Sequence, residues 1–197
     1  YFISIQSIMT DIVALAEANQ RKAREVIAKL RVVEAWEAVG AEAHLVGSLR
    51  TGLLMKHRDI DFHIYSSPFR LSDSFAAMAA LVADPAVKRF EGANLLHTPE
   101  ACVEWHLWYD DGGEEWQVDM IHLVKGSRYD GYFERVAVIT PRQRETVLRL
   151  KYETPDDEKI MGIEYYLAVI RDGIADYPAF VQWRKQQPAD RIIEWIP

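Results

Sequence analysis

Between Gln6 and Val39 the apolar side chains return every three or four positions: Ile8, Ile12 and Leu15, then Val26, Ile27, Leu30, Val33, Trp36 and Val39. That period matches the 3.6-residue turn, so the segment reads as one long amphipathic helix or two in succession, ended by Gly40. His44-Leu45-Val46 reads as a short strand stopping at Gly47-Ser48, and Leu49 to Met55 as a short helical stretch. From Asp59 to Tyr65 the period falls to two, with Ile60, Phe62 and Ile64 on one side and Asp59, Asp61 and His63 on the other. This is a half-buried strand with a pair of carboxylates on its polar side.

Ser72-Asp73-Ser74 supplies cap residues before an alanine-rich helix from Phe75 to about Asp84, which Pro85 closes. Ala101 to Tyr109 and Glu115 to Val124 alternate as strands around Asp110-Asp111-Gly112-Gly113, a strong hairpin signal. Trp105, Trp108 and Trp116 fall on this hairpin and read as core and cross-strand pairs. Pro141 to Tyr152 and Ile160 to Ile174 read as two helices parted by Thr154-Pro155-Asp156-Asp157. The order predicts an α+β fold: a mixed sheet flanked by helices, with a helical C-terminal part. The natural division is a core over residues 1–124, with a long helical lead-in, and a helical region over 125–197.

Composition narrows this picture. The 197 residues are 49% hydrophobic, enough for a real core, and 23 basic against 30 acidic residues leave a net charge of -7. An acid excess of that size argues against non-specific binding to nucleic acid or an anionic membrane, though not against a local basic site. Cys102 is the single cysteine, so no internal disulfide and no Cys-x-x-Cys zinc site can form. A reducing, cytoplasmic setting is expected. No long apolar run offers a membrane span, and the opening Tyr1-Phe2-Ile3-Ser4-Ile5 lacks the basic region of a secretion signal.

The chemistry concentrates in Gly47-Ser48-Leu49-Arg50-Thr51-Gly52 and the following Arg58-Asp59-Ile60-Asp61-Phe62. A Gly-Ser where a strand meets a helix allows close backbone approach and offers free N–H groups to a phosphate. Asp59 and Asp61, two apart on one strand, project from the same side, and adjacent anions repel unless a cation lies between them. Hard oxygen donors select a hard divalent ion, Mg²⁺ above all, with Mn²⁺ as a substitute.

Gly-Ser, a spacer of this length and Asp-x-Asp between apolar residues resemble the signature of the DNA polymerase β-like nucleotidyltransferase superfamily, which includes antibiotic nucleotidyltransferases and many small bacterial members. The resemblance spans roughly residues 41–124. It implies transfer of a nucleoside monophosphate from an NTP by a two-metal mechanism, with Asp59 and Asp61 as bridging ligands and a third carboxylate from a later strand. Asp119 matches that position best, with Glu104 as the other candidate. Gly47 and Ser48 would hold the β- and γ-phosphates, and Arg50 or Arg58 would add charge. Arg58 departs from the pattern, since a small polar residue often precedes the first Asp in relatives, and it could pair with Asp59 or with phosphate.

Other residues read less sharply. His57, His63, His106 and His122 lack a compact zinc spacing and read as core or surface histidines. Arg142, Arg144, Arg149 and Lys151 line a helix, chiefly as a solvated face; Lys151 or Lys159 could reach the triphosphate, and Tyr165 or Tyr166 could stack on a base. The acceptor that fits an acidic chain is a small-molecule hydroxyl compound, an antibiotic being one. A protein acceptor comes next and tRNA third, since no long Lys/Arg run offers a nucleic-acid surface. A catalytically inactive nucleotide-binding module is the remaining alternative, and the sequence leaves the oligomeric state open.

Overall fold

The structure, a computed structural model, describes residues 5–131 and 139–187, with side chains from residue 11 onward. Residues 1–4 and the side chain of Ile8 lie outside this. The chain divides into two compact units, one made of Arg21–Thr51 and Arg58–Glu134 and the other of Tyr1–Gln20, Gly52–His57 and Arg135–Pro197.

The first helix, α1 (Ile5–Leu30), runs through the boundary at Gln20 and contributes to both units. Ala23, Val26 and Leu30 are buried in the sheet unit and Ile12 and Ala16 in the helical one, whereas Leu15, expected on the apolar face, is exposed. Arg31 breaks the helix with a left-handed backbone (φ 56°), and α2 (Val32–Glu37) follows, so the predicted helical stretch is two helices.

In the sheet unit, β1 (Ala41–Val46) leads into the single-turn α3 (Gly47–Arg50), then β2 (Asp59–Ser66), α4 (Leu71–Val82), β3 (Val87–Asn94), β4 (Cys102–Asp110) and β5 (Glu115–Leu123). The five strands form one mixed sheet in the order β1-β2-β5-β4-β3, in which only the β2–β5 pair is parallel. Period-two alternation sorts its faces: Ile60, Phe62, Ile64, Leu107, Val118 and Met120 are all buried on one side. On that side the Trp36 indole N–H of α2 lies 3.3 Å from the Met120 sulfur, and Trp105 donates to the Ser74 hydroxyl of α4 at 2.8 Å. The opposite side carries Asp59, Asp61, Glu104, His106, Gln117 and Asp119, all half-exposed. Lys22 and Lys29 of α1 meet Glu114 and Asp111 at the turn between β4 and β5.

The helical unit packs α5 (Pro141–Glu153), α6 (Gly162–Tyr166), a π-helical turn (Leu167–Arg171) and α7 (Tyr177–Lys185) around Val147, Leu150, Tyr165, Phe180 and Trp183. Thr140 caps α5 through a reciprocal pair with Gln143, with Pro141 at the first helical position.

Several expectations need correction. The helix expected over Leu49–Met55 stops after Arg50, because Gly52 turns left-handed (φ +72°) and Leu53, Leu54 and Met55 leave the helix to be buried. The α4 helix starts at Leu71 rather than after Ser74, so Ser74 is no cap but a fully buried acceptor. Trp108 is not core: it lies on the polar side of the sheet under Arg89. The sequence pattern predicts neither strand β3 nor helix α7. The first is an edge strand of mostly exposed residues with no apolar alternation.

Candidate active site

The end of β1 sets the first element of the site. Val46 lies opposite Asp61, and the next residue, Gly47, turns left-handed (φ +67°) into α3. A β-carbon at Gly47 would fall 2.0 Å from Asp61 Oδ2, so glycine is required here both by the backbone and by the carboxylate occupying that space. Ser48, directly after it, is buried.

The parallel β2–β5 register supplies the second element: Asp59 faces Gln117 and Asp61 faces Asp119. Neighbouring strands lie about 4.8 Å apart, so the Asp61 and Asp119 side chains leave adjacent strands on the same side of the sheet. Glu104, by contrast, faces Ile121 from β4, one strand further out and two positions along from Asp119.

Two residues grip Asp119. The Gln117 side-chain amide donates to Oδ1 at 2.9 Å and Oδ2 at 3.1 Å, and His106 Nδ1 lies 2.8 Å from Oδ1. A carboxylate oxygen accepts this bond from the His106 tautomer that carries its proton on Nδ1. Its Nε2 is 3.9 Å from Glu104. Neither Gln117 nor His106 is assigned a role by the sequence motif. Alternation alone puts both on the polar side, but only the β4–β5 register sets His106 opposite Asp119.

The remaining candidates are placed as follows. Arg50 Nη1 donates to the Leu45 carbonyl at 3.2 Å. Arg58 pairs with Glu114 at 3.1 Å, a carboxylate that also takes Lys22, and the Lys22 hydrogen bond foremost holds the Glu114 acid below its ordinary range. Lys151 belongs to the helical unit, where its nearly buried ammonium donates to the Leu53 carbonyl at 2.9 Å and approaches the Tyr166 hydroxyl at 3.5 Å. Lys159 and Tyr165 lie in the same unit, Tyr165 buried against Phe180. His122 is part of the sheet core: burial pushes its imidazole down to about 4, and Nε2 meets the Ser66 hydroxyl at 2.8 Å.

Asp59, Asp61 and Asp119 offer only hard oxygen donors from one side of the sheet, the set a Mg²⁺ ion takes, and the space left at Gly47 admits the Asp61 carboxylate. The donor chemistry therefore fits a divalent cation. Among the described residues no group of three His, Cys, Asp or Glu side chains is arranged to hold a metal ion, and Asp119 is instead hydrogen-bonded to Gln117 and His106.

This mixed five-stranded sheet flanked by helices is the fold of the polymerase β-like nucleotidyltransferases. The family model for the nucleotidyltransferase domain matches residues 26–176, and the chain belongs to that family. Among solved structures it is similar to the Cid1 RNA terminal uridylyl transferase (18% identity, TM-score 0.55, covering 82% of this chain and 54% of that one). It is likewise similar to Cid1 poly(U) polymerase with MgGTP bound (18%, TM-score 0.56, 84% and 55%). The non-canonical poly(A) polymerase complex GLD-2–GLD-3 is a third (12%, TM-score 0.53, 81% and 57%). The chain thus spans little more than half the length of these structures. Comparison with curated proteins gives no match.

Proposed function

We propose that this chain transfers a nucleoside monophosphate from a Mg²⁺-bound NTP to an acceptor hydroxyl. The observation that carries the reading is the register of Asp61 against Asp119 beside Gly47, with Asp59 two residues away on the same strand. In this reading Asp59 and Asp61 hold the metal, and Asp119, not Glu104, is the third carboxylate. Bound Mg²⁺ supplies charge neutralisation to the triphosphate and lowers the pKa of the acceptor hydroxyl. The acceptor O–H gives its proton to a carboxylate oxygen of Asp119. The freed oxygen attacks the α-phosphorus in line, the bond from that phosphorus to the bridging oxygen breaks, and pyrophosphate leaves with the electron pair. Gly47 and Ser48 cradle the β- and γ-phosphates. Arg50 lends positive charge from the last turn of α3, whereas Arg58 would first have to leave Glu114.

The acceptor class we favour is a small molecule bearing a hydroxyl, because the net charge of -7 disfavours a polyanion. An RNA 3′ end is the second reading. It is favoured by the fold shared with Cid1, described as an RNA terminal uridylyl transferase, and with the non-canonical poly(A) polymerase GLD-2, although this chain spans little more than half the length of either.

Thermal unfolding tests the class. Mg²⁺ with an NTP is expected to raise the midpoint by mass action, and Asp59→Ala or Asp61→Ala to remove most of that rise. Label from the α-phosphate should then appear on a small acceptor, or on an RNA oligonucleotide, only with Asp59, Asp61 and Asp119 intact. Label transfer undiminished in Asp61→Ala would sink the reading.

A further inference from the structure

We infer that Gln117 and His106 act in opposite senses on the divalent-metal affinity of this site, both through Asp119: Gln117 is a removable plug and His106 an orienting brace. The inference rests on the reading of Asp119 as a metal ligand. The Gln117 amide nitrogen sits almost evenly between the two Asp119 oxygens, at 2.9 and 3.1 Å, and so fills the mouth of the carboxylate. A cation approaching there must displace that N–H. His106 bonds Oδ1 alone, at 2.8 Å, so it fixes the rotation of the group without using Oδ2, which only the Gln117 N–H engages among these two partners.

The two side chains also differ in freedom. Gln117 neighbours Asp119 along β5, on a flexible stem and half-exposed, so it can swing aside without disturbing the sheet. His106 is fixed opposite Asp119 by the β4–β5 register, and its ring meets Asp119 on one nitrogen and faces Glu104 on the other. Imidazole and carboxylate partners of metal ligands characteristically set the orientation of those ligands. Gln117 and His106 are thus positioning residues, and loading the site exchanges the Gln117 hydrogen bond for a bond to the cation.

The test is titration of the full chain with Mn²⁺ alone, free ion read by its paramagnetic resonance signal, so that no turnover is involved. Gln117→Ala should tighten binding roughly fivefold, the worth of one net hydrogen bond. His106→Ala should weaken it by about tenfold, the usual scale for a lost partner of a metal ligand, and His106→Asn, which keeps a donor near that point, should recover most of it. Gln117→Met keeps the stem without the donor and must reproduce the tightening, which guards against a folding artefact. In an Asp119→Asn background, itself weakened, neither change should have any effect. Unchanged or weaker binding in both Gln117 variants, or equal effects with and without Asp119, overturns the inference and leaves the site reading standing. Wild-type affinity in Asp119→Asn overturns both.

Discussion

At the scale of single residues, Gly47 is where backbone and chemistry meet. Its left-handed turn alone disfavours a side chain by about 1–2 kcal/mol, as at any such position. Gly40 has a similar φ of +78° with nothing within 4 Å of its would-be β-carbon, so it isolates that backbone cost. At Gly47 the β-carbon would also drive into the Asp61 carboxylate. Gly47→Ala is therefore expected to abolish the Mg²⁺-NTP stabilisation much as Asp61→Ala does, whereas Gly40→Ala should lower the melting temperature and leave the ligand-induced rise intact. A differential-scanning comparison of the two variants with and without Mg²⁺-NTP decides this. If both keep the rise, the space at Gly47 does not matter to the site.

At the scale of elements, a buried hydrogen bond from Trp105 to Ser74 ties helix α4 to the sheet. Ser74 is fully buried, so Ser74→Ala leaves the indole N–H without an acceptor and should cost about 1–3 kcal/mol, read as a lower urea midpoint at unchanged slope. Because the effect acts through one pair, Trp105→Phe should absorb most of it: in that background Ser74→Ala should cost less than half as much. Full additivity would mean that Ser74 stabilises α4 by some other route. The Ser-Asp-Ser run reads as a cap because its residues are good caps; whether one of them is instead a core acceptor depends on a tryptophan 31 residues away. Strand β3 is illegible for a related reason, since pairing on one side only demands no apolar alternation, and Gly92 is needed there because a β-carbon would meet the Trp105 ring at 2.5 Å.

At the scale of the whole molecule, stability should depend on pH through His122. The imidazole is fully buried between Trp36 and Phe69, and burial lowers its pKa to about 4 from 6.5, against a smaller opposing pull from Asp73. Between those values the unfolded chain binds a proton that the folded chain refuses. The stabilisation is therefore complete above pH 6.5, is lost as pH falls toward 4, and amounts to roughly 3 kcal/mol. His122→Phe should flatten this acid limb in melting temperatures recorded from pH 7 to 4. A limb of unchanged steepness would assign the acid sensitivity to other groups.

The sequence by itself determined what is local. Helices and strands followed from periods of 3.6 and 2, and membership in the nucleotidyltransferase family followed from Gly-Ser, the spacer and Asp-x-Asp, all within fifteen residues from Gly47 to Asp61. Alternation likewise placed Asp59 and Asp61 on the polar side of their strand. Only the tertiary structure decided what depends on strand order and register: that Asp119 rather than Glu104 lies opposite Asp61, that His106 and Gln117 grip Asp119, and that Arg58 is drawn to Glu114. Side-chain direction repeats every two residues along a strand and is written in the local pattern. Which strand lies alongside, and in which register, is set by burying the apolar sides of distant segments together, and no short stretch of sequence carries that information.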